Sequence, residues 1–267
     1  MKGGTYMDLG LKNKNILLFG GHSNIGRCVT LAFAQEGAGV TIAGRDLESC
    51  EKVALEALEA GAPWAEIVKC DATSYEETAH AAESALLHGA IDSVYHGVGW
   101  DSLGKFLELD RNLWQKIYEI NFLSCMNAWK YILPIMQKQG HGNFVNNAST
   151  CGRVHDSDEC VYGALKSAVI HLAQTIAQDV AKDGIRINCV APGATPPIDG
   201  HFTSGSPWPA FTSNPETLEY WKTFSPLGQV GTPWDVAYAV LFLASDITGR
   251  HQCGQVIGVD GGRYMPK

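Results

Sequence analysis

The chain has 267 residues, 45% of them hydrophobic and 18% charged, a balance that excludes a disordered or repetitive polypeptide. Its formal net charge of −8 argues against nucleic acid or an anionic membrane as a partner, and no segment approaches the ~18 apolar residues of a membrane span. Eight cysteines without the short paired spacing of a zinc or redox motif, and no secretory leader, predict reduced thiols in a cytoplasmic protein.

Residues 1–13 read as a loose lead-in. Residues 16–19 are a short apolar run, a candidate buried parallel strand, followed by Gly20-Gly21-His22-Ser23-Asn24-Ile25-Gly26 and a helix over 27–36. Strand, glycine turn and helix make the first half of a dinucleotide-binding unit. The glycines let the backbone approach a pyrophosphate, and the helix start offers free amides and a positive dipole end. Taken alone, such a turn also serves merely to join a strand to a helix. Arg27 is expected to face solvent rather than phosphate. A second strand, 39–43, ends in Gly44-Arg45. An acidic residue there would hold ribose hydroxyls; Arg45 instead suits a 2′-phosphate through charge-assisted bonds, which favours NADP over NAD, the other reading being a surface arginine.

A helix over 46–60 is capped by Asp46 and stopped by Gly61. The third strand, 65–70, runs into Asp71-Ala72 at the edge where an adenine would sit. The helix over 74–88 carries His80 and His88 on a solvated face. Strand 91–95 leads into His96-Gly97-Val98-Gly99, small residues at a strand's carboxyl end against which a flat ring can lie. Trp100 follows, as a pocket wall or as core. The helix over 111–138 contains Asn121, whose side chain competes with its own backbone, so it is read as a functional residue or as a packing residue.

Strand 142–146 leads to Ser149, with Tyr162 thirteen residues later and Lys166 four beyond that. Val161, Leu165, Val169, Leu172, Ile176 and Val180 recur at helical spacing, which stacks Tyr162 over Lys166 on one face. A cation at ~4 Å in an effective dielectric of ~20 favours a phenolate by roughly 4 kcal/mol, about three pK units. Such a phenol would serve as acid or base near neutral pH, with Ser149 bonding the oxygen where charge develops. The plain alternative is a surface pair and a loop serine. The acidic run at His155-Asp156-Ser157-Asp158-Glu159 lacks partner ligands at helical spacing, so no metal is expected; it reads as a loop rimming the site, with His155 a candidate substrate contact. Nothing near Cys151 predicts a depressed thiol pKa.

Strand 185–191 closes on Pro192-Gly193. Residues 194–231 then turn proline-, glycine- and aromatic-rich, with Phe202, Trp208, Phe211, Tyr220, Trp221 and Phe224, the character of a lid or substrate wall. A helix over 235–244 and a strand over 255–262 end the chain. Strand–helix alternation throughout predicts one doubly wound, Rossmann-like α/β domain over 1–267, its central, mostly parallel seven-stranded sheet flanked by helices.

In their order and spacing, Gly20-x-x-x-Asn24-Ile25-Gly26, Asp71, Asn121, Ser149, Tyr162-x-x-x-Lys166, Pro192-Gly193 and the closing Val259-Asp260-Gly261-Gly262 resemble the short-chain dehydrogenase/reductase family over nearly the whole chain. The resemblance implies Tyr162 as proton donor or acceptor, Ser149 polarising a carbonyl, Lys166 holding the nicotinamide ribose and lowering the phenol pKa, and Asn121 anchoring a relay water. It places the pyrophosphate turn on Gly20, Ser23, Asn24, Ile25 and Gly26, and the rest of the cofactor on Arg45, Asp71, Ala72, His96, Gly97, Tyr162, Lys166, Pro192, Gly193 and Thr195. The chain departs from the family at Phe19 for threonine, Asn24 for glycine, His96-Gly97-Val98-Gly99 for Asn-Asn-Ala-Gly, and Pro197 for the threonine that meets the carboxamide, where Thr195 would substitute. Asn24 tolerates a left-handed backbone better than most residues. The resemblance implies interconversion of a secondary alcohol and a ketone; Arg45 adds the preference for NADP (NAD possible), and the aromatic 202–224 segment an apolar or aromatic-bearing small molecule. The implied assembly is a homotetramer or homodimer packed through the helices around Asn121 and Tyr162. The alternatives are reduction of a 3-oxoacyl thioester on an acyl carrier, and a cofactor-binding sensor without catalysis.

Overall fold

The computed structural model describes residues 8–198 and 214–266; Phe202, Trp208 and Phe211 of the expected lid lie outside them. Seven strands form one sheet, every neighbouring pair parallel, in the order β3-β2-β1-β4-β5-β6-β7. They are β1 (Asn15–Phe19), β2 (Gly39–Gly44), β3 (Ala65–Lys69), β4 (Ser93–His96), β5 (Gly142–Asn147), β6 (Ile185–Pro192) and β7 (Val256–Val259). The helices are α1 (Asn24–Gln35), α2 (Leu47–Ala60), α3 (Tyr75–Leu86), α4 (Asn112–Tyr118), α5 (Ser124–Gln139), α6 (Cys160–Val180), α7 (Pro215–Lys222) and α8 (Pro233–Ala244). Among the described residues no helix is long and apolar enough to cross a membrane. All eight cysteines are free.

Alternate residues of each central strand feed opposite cores, which is why the strands read as unbroken apolar runs. Ile16 and Leu18 join Val40, Ile42 and Val145 under α1, α2 and α8. Leu17 and Phe19 join Val94, Phe144 and Ile187 under α3, α5 and α6. All four β1 side chains from Ile16 to Phe19 are fully buried, each worth about 2 kcal/mol of transfer free energy. Helix ends follow local chemistry. Asp46 caps α2 by accepting from Ser49 N at 3.2 Å, and Gly61 ends it at φ 123°. Thr232 and Asp235 cap α8 reciprocally.

Strand order reverses between β1 and β4, and the crevice at such a switch point is where α/β sheets take ligands. Gly20 and Gly97 leave these two strands, their amides bonded back to Ala43 O (2.9 Å) and Phe19 O (2.9 Å). The single helix expected over 111–138 is not continuous. It is broken by a π-helical turn, Glu119–Leu123, with Asn121 at its centre. One residue too many in that turn re-aims the helix, a deviation that concentrates at functional sites.

Candidate active site

A cleft of about 380 Å³ opens at the carboxyl ends of the strands. After β1 and β2 it is lined by Ser23, Asn24, Ile25, Gly26 and Arg45, and after β4 by Gly97, Gly99, Trp100, Asp101 and Leu103. Ser149, Tyr162 and Lys166 line its middle, Pro192, Gly193 and Thr195 its far rim, and Tyr220, Trp221, Phe224 and Arg263 close it.

The first turn is built for close backbone approach. A Cβ on Gly26 would lie 2.0 Å from Gly20 O, so only glycine lets α1 start against the strand end. Gly20 itself sits at φ 73° and Asn24 at φ 43°, so asparagine does accept the left-handed backbone. Asn24 Nδ2 also donates to Thr195 O at 3.3 Å, tying this turn to the loop after β6. Ser23 caps α1 without a side-chain bond, which leaves its hydroxyl and the first-turn amides facing the cleft, the donor set a pyrophosphate needs. A dinucleotide therefore fits the residues present.

The middle of the cleft depends on close backbone packing. Ser149 ends the extended chain after β5 and caps a short turn, Thr150–Gly152, accepting from Cys151 N at 3.1 Å. Helix α6 lies directly on that turn: a Cβ on Gly163 would meet Cys151 O at 2.7 Å, and one on Gly152 would meet Lys166 C at 2.8 Å. Two glycines thus bring Ser149 to the first turn of α6, where Tyr162 stands. One helical turn on, Lys166 is 2% exposed, donates to Asn147 O at 3.0 Å, and holds its ammonium 5.4 Å from the Tyr162 ring centroid. Asn121, fully buried, accepts from Trp100 N (3.3 Å) and donates to Trp100 O (2.5 Å) and Ile117 O (2.9 Å). It pins the Gly99–Asp101 loop against the π turn; a Cβ on Gly99 would sit 3.3 Å from Asn121 Oδ1 and 3.5 Å from Lys166 Nζ.

The electrostatics differ from those the spacing predicts. Burial, then the acids Glu159, Cys151 and Asp101, raise the Tyr162 phenol well above its ordinary value, against a hydrogen bond with Ser149 that favours the phenolate. The Lys166 ammonium does not overcome these, and burial lowers its own pKa. The depressed phenol expected from the four-residue spacing is therefore corrected: burial and the neighbouring acids move it the other way. The reason is desolvation, which periodicity does not reveal.

The acidic loop is tied to the C-terminal tail. Arg263 Nη2 bonds Asp156 Oδ2 at 2.5 Å, its Nη1 lies 3.9 Å from Cys151 Sγ, and its guanidinium rests 4.6 Å from the Phe224 ring. Cys151, Asp156 and Glu159 cluster closely enough to ligate an ion, with Arg263 supplying a cation beside them. Burial pushes the Cys151 thiol up, as do Glu159 and its hydrogen bond, so this is an inert thiol. Asp101 is pushed up to about 7, first by burial and then by Glu159. An aspartate easier to ionise unfolded than folded lowers stability as pH climbs from about 4 to about 7, with no further loss above. Asp101→Asn is thus expected to be more stable than the parent at about pH 8, by at least ~1 kcal/mol, with the gap closing toward about pH 4 in urea titrations.

Several expected positions lie elsewhere. Gly20 shapes the turn without lining the cleft, because its role is to accommodate Gly26. His96 points into the core beside Phe19 (5.7 Å between rings), its Nδ1 3.3 Å from Cys125 Sγ. Burial, then Lys166, lower its pKa to about 3, so it is neutral and not a cleft residue. Asp71 is engaged by Thr73 (N at 3.0 Å, Oγ1 at 2.8 Å), and Ala72 is buried with its carbonyl taking Asn127 Nδ2 at 3.1 Å; neither lines the cleft. His155 is exposed and lines nothing, while Arg27 pairs with Glu56 at 2.7 Å instead of facing solvent. Trp100 is a wall of the cleft. Thr195 donates to Gly193 O at 3.0 Å, which orients its hydroxyl along the rim. Sequence reading missed Asp101 and Arg263; an acid directly after Trp100 and an arginine after the closing Gly261-Gly262 were the only signals.

Residues 20–263 match a family model described as enoyl-(acyl carrier protein) reductase. The chain is 31% identical to 3-oxoacyl-(acyl-carrier-protein) reductase FabG of Thermotoga maritima over 94% of its own length and 98% of that protein's. It is 34% identical to the 7alpha-hydroxysteroid dehydrogenase of Bacteroides fragilis, with 94% of each chain covered. Among solved structures, a short-chain type dehydrogenase/reductase from Mycobacterium ulcerans superposes with a TM-score of 0.84 at 29% identity, covering 94% of this chain and 90% of that one.

Proposed function

The chain belongs to the short-chain dehydrogenase/reductase family of NAD(P)-dependent oxidoreductases, and from that membership we propose that it interconverts a secondary alcohol and a ketone with a preference for NADP. The observation that carries this reading is the common opening of Ser149, Tyr162 and the buried Lys166 onto a cleft that begins at the Gly20–Gly26 turn. The nicotinamide, when bound, supplies the hydride to the carbonyl carbon or takes it from the carbinol carbon. Ser149 donates to the substrate oxygen as it gains charge. Tyr162 gives that oxygen its proton in reduction and recovers it in oxidation, so one hydride and one proton make each alcohol. Lys166 holds the ribose hydroxyls from its buried position, and the turn's amides with Ser23 hold the pyrophosphate. Residues 194–231 form the substrate lid in this reading, and the helices carrying Asn121 and Tyr162 the dimer or tetramer contacts.

Mixing the protein with NADPH and a panel of aryl and alkyl ketones tests the reaction through loss of the reduced-nicotinamide absorbance. No turnover on any ketone, nor on the matching alcohols with NADP⁺, rejects it. Arg45, 68% exposed at its side chain and 4.0 Å from Asp71, carries the NADP preference. Arg45→Gln should raise KM for NADPH about 10- to 100-fold, the worth of a charge-assisted bond, while moving KM for NADH less than about threefold. Equal effects on both cofactors would remove the 2′-phosphate from Arg45. An acyl-carrier substrate is less favoured, because the basic residues that line the cleft, Arg45, Lys166 and Arg263, are interspersed with Asp101, Asp156, Asp158 and Glu159 rather than gathered into a patch.

A further inference from the structure

Among the described residues Arg45, Lys166 and Arg263 are the cations that line the cleft. The proposed reaction uses the first two, on the cofactor, and gives Arg263 no task. Its side chain is only 15% exposed, and its three contacts line the cleft with it. Nη2 bonds Asp156 Oδ2 at 2.5 Å, Nη1 lies 3.9 Å from Cys151 Sγ, and the guanidinium carbon stands 4.6 Å from the centre of the Phe224 ring. One carboxylate oxygen and a weakly accepting sulfur engage only part of a guanidinium's fork of donors. Nε–H meets no acceptor among the described residues. Donors on a cation held so far out of water need partners, so water or a ligand in the cleft has to meet them.

The tail that carries Arg263 is built onto the turn that carries Ser149. Asp260 Oδ2 accepts from Thr150 Oγ1 at 3.0 Å and from Tyr264 N at 3.1 Å, and its Oδ1 accepts from Gly262 N at 3.0 Å. The Arg153 guanidinium lies 3.9 Å from the centre of the Tyr264 ring. Arg263 is thus fixed from both sides, through Thr150 and through Arg153. Cys151, which Nη1 approaches, donates its own N–H to Ser149 Oγ at 3.1 Å. One residue therefore separates the guanidinium from the hydroxyl assigned to the substrate oxygen. Trp100, Tyr220 and Phe224 supply apolar walls. The acids nearby repel an anion weakly: Asp156 is paired with Arg263 and Asp158 with Lys105, while burial raises the pKa of Asp101 and Glu159.

Resting on the proposed ketone reaction, we infer that Arg263 is a specificity-determining residue that anchors a carboxylate on the substrate, away from the reacting carbonyl. The substrates are then oxo acids and the matching hydroxy acids, with an apolar body spanning from the carbonyl at Ser149 and Tyr162 to the carboxylate at Arg263. A guanidinium meets a carboxylate through planar, charge-assisted bonds, and its fork can serve a second carboxylate beside Asp156. The bond to Asp156 and the contact with Phe224 fix its orientation before the substrate arrives, which lowers the cost of binding.

Acids paired with their methyl esters provide the test: 3-acetylbenzoate, 4-acetylbenzoate and 5-oxohexanoate, each beside its ester, reduced by the full chain with NADPH. In at least one pair the acid should exceed the ester in kcat/KM by about tenfold or more, the worth of a charge-assisted bond. In Arg263→Gln that ratio should collapse to within about threefold of unity, and a ratio of two substrates cancels general damage to the enzyme. Because an unpaired Asp156 would itself repel an acid, the same comparison is made in Asp156→Asn. There the preference for the acid should persist, and adding Arg263→Gln should abolish it. Esters matching or leading their acids in every pair, an unchanged ratio in Arg263→Gln, or a preference that survives in the double variant overturns the inference while leaving the ketone reaction standing. Calorimetry of 4-acetylbenzoate with the NADPH-loaded protein separates the two readings. Binding that Arg263→Gln weakens about tenfold, without turnover of any ketone, keeps the anchor and rejects the reaction; neither binding nor turnover rejects both.

Discussion

Tyr162→Phe should lower kcat by about 10³-fold or more, within the range that a positioned proton donor contributes. Only a hydroxyl is removed, and the ring that meets Lys166 at 5.4 Å keeps its place. Loss of the phenol's bond with Ser149 costs about 1 kcal/mol in stability, so the variant should fold and bind NADPH with nearly the parent's affinity. The combination is what matters: binding kept, chemistry lost. If turnover survives, the proton comes from elsewhere and the proposed role of Tyr162 is wrong. If the parent binds NADPH yet reduces no carbonyl, the chain is a cofactor sensor.

Lys166→Met should cost at least about 10²-fold in kcat/KM while leaving the melting temperature unchanged or higher, because removing an isolated buried charge relieves desolvation. Methionine keeps the unbranched stem in its fully packed site and deletes only the ammonium. One hydrogen bond, to Asn147 O at 3.0 Å, is lost, a penalty of about 1 kcal/mol that the relieved desolvation offsets. Differential scanning calorimetry beside steady-state kinetics separates the two effects. An enzyme that keeps its rate within about threefold of the parent would assign the ribose anchor to another group, since a cation at this site would then have no chemical task. A collapse of stability together with activity would mean that the ammonium is a structural brace, and burial would have been misread as function.

These expectations and that for Asp101→Asn share a cause. A group taken out of water for reactivity lowers the stability of the fold that holds it, and the least stabilising residues are then found where a ligand binds. Lys166, Tyr162, Asp101 and Glu159 are all shifted in the direction that disfavours their charged forms, and all four line one cleft. Clustering of such shifts in a concavity is independent support for a reactive site.

The sequence by itself determined the strand–helix alternation, the parallel sheet, the glycine turn with its left-handed Asn24, and the meeting of Tyr162 and Lys166 on one helical face. The turn and the helical face follow from contacts a few residues apart, and the parallel sheet from the strand–helix alternation, since parallel neighbours need a crossover connection. Only the tertiary structure decided the rest. It turned His96 into the core, engaged Asp71 with Thr73 and the Ala72 carbonyl with Asn127, inserted a π turn around Asn121, and raised the phenol that the spacing predicts to be depressed. It also joined Asp101 to Glu159 and Arg263 to Asp156 across 58 and 107 residues of chain. Burial and charge at a site are sums over every element packed around it, and those elements come from distant parts of the chain. Periodicity records which face a side chain takes on its own element; desolvation and charge depend on what packs against that face.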